Sequence, residues 1–365
     1  MFSLGQRFAA FCFALFMALA LQAPRAHAGA YEAELPANLA STPDMCSLLP
    51  CTEVFPGATH FSERKGQPPY VEAYDNDSAQ KKLLGYVMLS TDITDTPAYS
   101  GKPVVTLIGM DTKGHFVGLK VLKHSEPILL LGIPESALIN FNNQYVGKSV
   151  TDTIEVGPSR PDENVTGVDA ISGATVTVVA QNQVVMTSGA AVARQTGIIA
   201  PTVREPAKFA TTGQKYDWAQ LVKMGAVQQL LVKPEQVGLP RGPEPFIELW
   251  FGDLNQPDIG RSVLGDNAFD SLRSRLKEGE NALFVIKTAG QESFKGSGFV
   301  RGGIFDRVQV KQGADSFTFR DLDSYNLYGL EAGGAPRNTE SYSISKPDLP
   351  TISPIRAPGN TLRVS

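Results

Sequence analysis

The stretch Asp169-Ala170-Ile171-Ser172-Gly173-Ala174-Thr175-Val176-Thr177 constrains this chain more than any other. A Ser-Gly turn pair runs into Ala and two threonines. Then Val178, Asn182, Val185, Met186, Gly189, Ala190 and Ala193 recur at three- and four-residue steps. That spacing predicts a helix of roughly 20 residues, closed by Gly197 as its C-terminal cap. Its many valines lower helix propensity, so burial has to hold it. Small residues in front leave the Thr175 hydroxyl accessible. A helix start beside it aims free backbone N–H groups and a positive dipole end at that hydroxyl, which is a place to hold a phosphate. Two readings compete: a plain helix N-cap with spare hydroxyls, or a Thr175 that carries a phosphate-linked group.

The rest of the chain bears on that choice. Arg7 precedes an apolar run from Phe8 to Leu21, then Pro24, then Ala26-His27-Ala28 as an A-x-A cleavage site. The run is roughly 14 residues, short for a membrane span, and reads as a secretory signal over 1–28; an uncleaved anchor is the alternative. Cys12 lies in that segment. Cys46 and Cys51 remain as C-S-L-L-P-C. In an oxidising compartment this pair reads as a disulfide closing a small loop; the alternative, a redox-active pair, usually has tighter C-x-x-C spacing. Two cysteines, with histidines that lack ligand spacing, indicate no metal site. The net charge of -4 and the scattered Lys and Arg argue against direct nucleic-acid binding.

Residues 29–70 are Pro- and Ala-rich and read as an extended lead-in pinned by the cysteine loop, with Val54-Phe55-Pro56-Gly57-Ala58 docking on the next domain. Leu83–Leu89, Val104–Met110 and His115–Leu122 read as strands, the last two joined by an Asp111-Thr112-Lys113-Gly114 hairpin turn. They predict an antiparallel sheet with one face buried. The long loop from Thr91 to Pro103 carries Tyr99, Ser100 and Gly101. A short helix is expected from Pro134 through Phe141. Residues 151–167 read as a polar lead into the opening stretch.

A linker at 201–206 introduces a second unit. Leu221–Val232 reads as a helix stopped at Pro234, and Gly260–Leu276 as another. Phe246–Phe251, Ala282–Thr288, Phe299–Val310 and Phe317–Arg320 read as strands. The expected fold is α+β: a small antiparallel sheet with helices over 71–200, then a second α+β domain over 201–345. Residues 346–365 have no period and read as a disordered tail. Gly296-Ser297-Gly298 with Gly302 lacks dinucleotide spacing and precedes a strand rather than opening a helix. Ser343-Ile344-Ser345-Lys346 matches S-x-x-K without partner motifs. A hydrolase reading has no support.

Asp169 with Ser172-Gly173-Ala174-Thr175 matches a D-x-x-[ST]-G-A-[ST] pattern. Upstream, His124-Ser125-Glu126-Pro127 and Gly132 are similar to an H-x-E-T-x-G segment, with Pro127 where Thr is expected. Gly85-Tyr86 opens a strand. In this order the first domain resembles the FMN-binding domain family that carries covalent flavin. Cys46 and Cys51, Pro56-Gly57-Ala58, Gly260–Gly265 and Val300–Arg307 extend the resemblance to the periplasmic part of NosR/NirI-type regulatory flavoproteins, over roughly residues 30 to 330.

The resemblance implies FMN esterified to Thr175 by a separate flavin transferase outside the cytoplasm, and hence a periplasmic protein. It implies a flavin site drawn from Thr175, Ser172, Gly173, Ala174, Asp169, Glu126, His124, Gly132 and Tyr99. Asp169 would orient the loop or help bind metal during transfer, unless it only bonds its own turn. Tyr86, Tyr99 and Phe141 are candidates to stack on the flavin ring, with core packing as the alternative. Gly132 reads as a close backbone approach, and Thr177 and Ser172 as residues shaping the turn or capping the helix. Relatives of this type support nitrous-oxide respiration and continue into transmembrane helices and a ferredoxin-like part. This chain is expected to be a truncated or standalone form. The expected role is electron transfer toward nitrous-oxide reductase or its maturation factors, from a membrane-bound donor. The alternatives are a redox-sensing or partner-binding module, and a secreted binding domain without cofactor.

Overall fold

The computed structural model describes residues 30–75, 81–161, 164–200, 209, 211–296, 299–312, 315–338, 340–347 and 360–364. The segment read as a secretory signal (1–28) and the 201–206 linker lie outside them. The first unit is a five-stranded antiparallel sheet in simple order: β1 (His60–Phe61), β2 (Val71–Asp75), β3 (Lys82–Leu89), β4 (Val105–Asp111) and β5 (Phe116–Lys123). Three of these strands are those predicted from the apolar runs.

Strand alternation sends side chains to opposite faces, and here both faces are covered. Met88, Ile108 and Met110 join the core under a long helix, while Val87, Leu89 and Leu107 pack with Leu39, Met45 and Val54 of the lead-in. The expectation of one buried face is therefore corrected, and the lead-in supplies the second layer. It contributes α1 (Cys51–Val54). Gly109 and Gly118 pair across β4 and β5. A Cβ at Gly109 would stand 2.3 Å, and one at Gly118 2.5 Å, from the Val54 carbonyl oxygen. Side-chain-free backbone is what lets α1 come so close. Cys46 and Cys51 are joined as a disulfide just ahead of this contact.

The short helix α2 (Glu135–Asn143) forms as expected. The long helix α3 spans Thr175–Gln195, and Gly197 comes just after it at φ 77°. The helix is buried around most of its circumference, and several of its polar side chains bond across it. Gln181 Nε2 donates to Thr106 Oγ1 (3.0 Å) and Asn142 Oδ1 (2.9 Å). Asn182 Oδ1 accepts from the Tyr145 hydroxyl (2.7 Å), and its Nδ2 donates to the Ile154 carbonyl (3.2 Å). These bonds tie α3 to β4 and to α2. The polar segment 151–167 is not wholly irregular: β6 (Thr153–Val156) and β7 (Val165–Val168) form a short parallel pair ahead of the 169–177 stretch.

The second unit corrects three expectations. The region 221–232 is not one helix. The helix α4 (Trp218–Lys223) ends ahead of Gly225 (φ 77°), and β8 (Val227–Val232) pairs with β9 (Ile247–Asp253). The region 260–276 is two helices, α5 (Pro257–Leu264) and α6 (Asp266–Arg275), broken at Gly265 (φ 78°). After β10 (Glu280–Ala289), β11 (Ile304–Gln312), β12 (Asp315–Arg320) and β13 (Ser324–Asn326), residues 346–347 and 360–364 of the expected tail are in strands, and its other residues lie outside the described ones. Strand β14 covers Glu340–Pro347, so Ser343 to Lys346 sit in a sheet, and β15 (Asn360–Val364) pairs with β11. The sheets run β13-β14-β10-β9-β8 and β12-β11-β15, with all pairings antiparallel. The fold is α+β.

The two units meet along α3. Gln183 Oε1 accepts from Thr318 Oγ1 (3.0 Å) and Gln309 Nε2 (3.2 Å), and Ile304 joins the first unit's core.

Candidate functional site

The turn before α3 explains its sequence. Gly173 has φ 80°, where a side chain would be strained, and the Ala174 N–H donates to the Ile171 carbonyl (3.0 Å). Ala174 is the N-cap residue and has no side-chain oxygen to spend on the helix end. The first intrahelical bond returns from the Val178 N–H to the Ala174 carbonyl (3.0 Å). The first-turn N–H groups of Thr175, Val176 and Thr177 precede it, so helix geometry gives them no intrahelical acceptor. Ala174, Val176 and Thr177 are buried, whereas Thr175, Ser172 and Gly173 are exposed. Thr175 is thus the hydroxyl that the helix start presents outward.

Asp169 is exposed at the entrance to this turn. Its backbone is gripped from both sides by one side chain: its N–H donates to Gln144 Oε1 (2.7 Å), and its carbonyl accepts from Gln144 Nε2 (3.2 Å). Sequence reasoning missed Gln144. A lone glutamine 25 positions away carries no local signal.

Glu126 is fully buried and lies under the turn. It accepts from the Ser100 N–H (2.9 Å) and the Tyr99 N–H (3.2 Å), and the Thr177 hydroxyl donates to it. A carboxylate with three donors is a satisfied buried anion, and it sits by a helix N-terminus, where negative charge is favoured. Thr177 therefore neither shapes the turn nor caps the helix. It bolts α3 to Glu126. Tyr99 contributes its backbone N–H, while its half-buried ring packs on the first core. His124 is also buried: its Nδ1 accepts from the Glu126 N–H (3.2 Å), its Nε2 lies 3.4 Å from Glu135 Oε1, and Tyr31 meets the ring edge-on at 5.6 Å.

Other expected roles change. Tyr86 and Phe141 are core residues at 7% and 1% exposure, which leaves neither a free face for a flavin ring. They pack edge-on against Tyr70 and Tyr145, and burial raises the pKa of the Tyr86 phenol. A Cβ at Gly132 would meet no protein atom within 4 Å, and its φ of 107° favours glycine. The loop it turns reaches the site: Ile133 Cδ1 lies 3.5 Å from where a Gly173 Cβ would stand. Beside it, Leu130 and Leu131 are exposed.

Tyr99, His124, Glu126, Gln144, Asp169, Thr175 and Thr177 fall within 99–188, the segment matched by the model of the FMN-binding domain family. The chain is 39% identical over 311 residues to the Regulatory protein NosR of Pseudomonas aeruginosa, covering 80% of this chain and 43% of that protein. This chain carries a NosR/NirI-type FMN-binding domain. The Regulatory protein NosR of Stutzerimonas stutzeri is 39% identical over 274 residues (70% of this chain, 38% of that protein). The Protein NirI of Paracoccus denitrificans is 27% identical over 268 residues (71% and 37%). The chain thus spans less than half the length of these curated relatives. Among the described residues, no helix is long and apolar enough to cross a membrane.

The NosR/NirI-type domain fits FMN by its phosphate end. An exposed hydroxyl stands at a helix start whose N-cap residue offers no competing side-chain oxygen, and first-turn N–H groups are natural phosphate donors.

Proposed function

We propose that this domain holds FMN through a phosphoester on Thr175 and works in the periplasm as an electron-transfer module supporting nitrous-oxide reductase activity, maturation or expression. The observation that carries the reading is the exposed Thr175 at the first position of α3, inside the segment matched by the FMN-binding family. A disulfide between Cys46 and Cys51 suits an oxidising compartment. When bound, FMN supplies reversible one- and two-electron exchange.

The chain's own residues do the placing. Thr175 would supply the ester oxygen: a separate flavin transferase would present a flavin dinucleotide, the Thr175 hydroxyl oxygen would bond to the flavin-side phosphorus as the P–O–P bond breaks, the nucleoside monophosphate would leave, and the hydroxyl proton would pass to solvent. The first-turn N–H groups would hold the phosphate oxygens. Glu126 fixes the 99–100 loop against α3, and Gln144 fixes the Asp169 backbone, so Asp169 can face the incoming flavin and any metal of the transfer reaction. Electrons would enter from a membrane-bound donor and leave toward nitrous-oxide reductase or its maturation factors.

The test is co-expression with a flavin transferase, then flavin fluorescence on a denaturing gel. Wild type is expected to fluoresce and Thr175→Val to be dark; a dark wild type overturns the proposal.

A second reading has its own support. The two NosR relatives are named regulatory proteins, and α3 is bonded to the second unit through Gln183. Under it, the flavin senses redox state and the second unit binds a partner. Reduced protein that binds its partner but passes it no electrons favours this reading.

A further inference from the structure

Between the two units lies a cavity of about 330 Å³ that the flavin reading does not use. Its volume is at the low end of the roughly 300–1,000 Å³ of small-molecule sites, which favour seams of this kind. One wall is a face of α3, with Gln183, Met186, Thr187, Ala190 and Arg194 at helical spacing. The first of these is eight residues, or about 12 Å, along the helix from Thr175. The opposite wall comes from the second unit, and Ile304 and Phe317 with Met186 and Ala190 make the floor apolar.

The rim is cationic. Arg194, Arg320 and Lys346 line the cavity against one lining carboxylate, Asp95. Asp95 bonds Arg320 Nη1 at 3.2 Å, but its side chain is 87% exposed, so water weakens that pair. Behind the rim, a single oxygen is shared three ways. Asp323 Oδ2 accepts from the Arg320 N–H (2.8 Å) and lies 3.5 Å from Arg320 Nε and 3.4 Å from Lys346 Nζ. The Lys346 ammonium also donates to the Thr318 carbonyl. Burial lowers its pKa, and the neighbouring Arg320 adds to that. Arg320 and Lys346 thus share one carboxylate oxygen beside a half-enclosed apolar floor, and the second carboxylate on Arg320, Asp95, is open to water. Thr187 adds a hydroxyl that accepts from Gln183 Nε2 (2.8 Å).

We propose that this seam binds a small organic anion, a carboxylate with an apolar body, whose charged end meets Arg320 and Lys346 while its body lies on Met186, Ala190 and Phe317. Because it touches α3 and β12 together, such a ligand clamps the flavin-bearing unit to the second one. The site makes no use of Thr175, so the assay runs on protein made without flavin transferase, and failure of the flavin reading leaves it intact.

The experiment is calorimetric titration at fixed ionic strength with benzoate, hexanoate and succinate, with sulfate as the inorganic arm. At least one carboxylate is expected to bind more tightly than sulfate. Lys346→Met should weaken it about tenfold, the loss of one charge-assisted hydrogen bond, and Lys346→Arg should restore it. Ala191→Phe, which fills the cavity without altering charge, should abolish it; far-UV circular dichroism checks that each variant is folded. The proposal is overturned if no carboxylate binds wild type, if sulfate binds as tightly, or if Lys346→Met and Ala191→Phe both titrate like wild type.

Discussion

At the scale of single residues, two threonines one turn-step apart do different work. Thr175 is exposed and Thr177 is buried with its hydroxyl on Glu126. Replacing an exposed side chain rarely moves stability by more than about 0.5 kcal/mol, whereas removing a donor to a buried carboxylate costs about 2 kcal/mol. Urea unfolding of the flavin-free protein is therefore expected to leave Thr175→Val at the wild-type midpoint and to shift Thr177→Val down. Equal midpoints would remove the structural role of Thr177. The exposed place of Thr175 at the helix start was legible because its signal is local: turn, glycine, small residue, hydroxyl. Its supports were not. Glu126 reaches Thr177 across 51 positions and Gln144 reaches Asp169 across 25, and no spacing rule links residues so far apart. His124 and Glu126 were found only through the resemblance, and the structure gives them anchoring contacts rather than exposed ones.

At the scale of elements, periodicity read well where an element was long and its pattern pure. Strands β3 and β4 are apolar runs of eight and seven residues, β5 alternates over eight, and α3 repeats over 21. It failed where strong punctuation fell inside an apolar series. Gly225 turns what looked like one helix into α4 and β8, and Gly265 splits α5 from α6. The four-residue strands β6 and β7 are too short to show a period. The glycine pair beneath α1 was also silent, since Gly109 and Gly118 meet only in the folded register. Gly118→Val puts atoms where the Val54 carbonyl stands. It should cost about 3 kcal/mol, at the upper end of overpacking, by peeling the lead-in from the sheet. Thermal melts with and without the substitution check this; an unchanged melting temperature would mean that the α1 contact contributes little.

At the scale of the whole molecule, α3 is shared property. Its first turn carries the proposed attachment, its middle meets β11 and β12, and its end is gripped by the lead-in, where Gln195 bonds the Gln67 N–H (2.7 Å) and the Pro68 carbonyl (2.8 Å). Under the sensing reading, a change at the first turn would reach the second unit along this helix. Gln183→Leu removes the acceptor shared by Thr318 and Gln309. Scanning calorimetry is expected to show the two units unfolding in separate steps in this variant and together in wild type; one unbroken transition in both would show that the seam does not depend on Gln183.

The central claim is chemical, and intact-protein mass spectrometry with peptide mapping tests it most directly. After co-expression with a flavin transferase, wild type should gain the mass of one FMN less one water, with the added mass on Thr175. Thr175→Val should gain nothing, and Thr177→Val should still be modified. Modification of Thr177 or Ser172 instead, or an unmodified wild type beside an active transferase, would contradict the account.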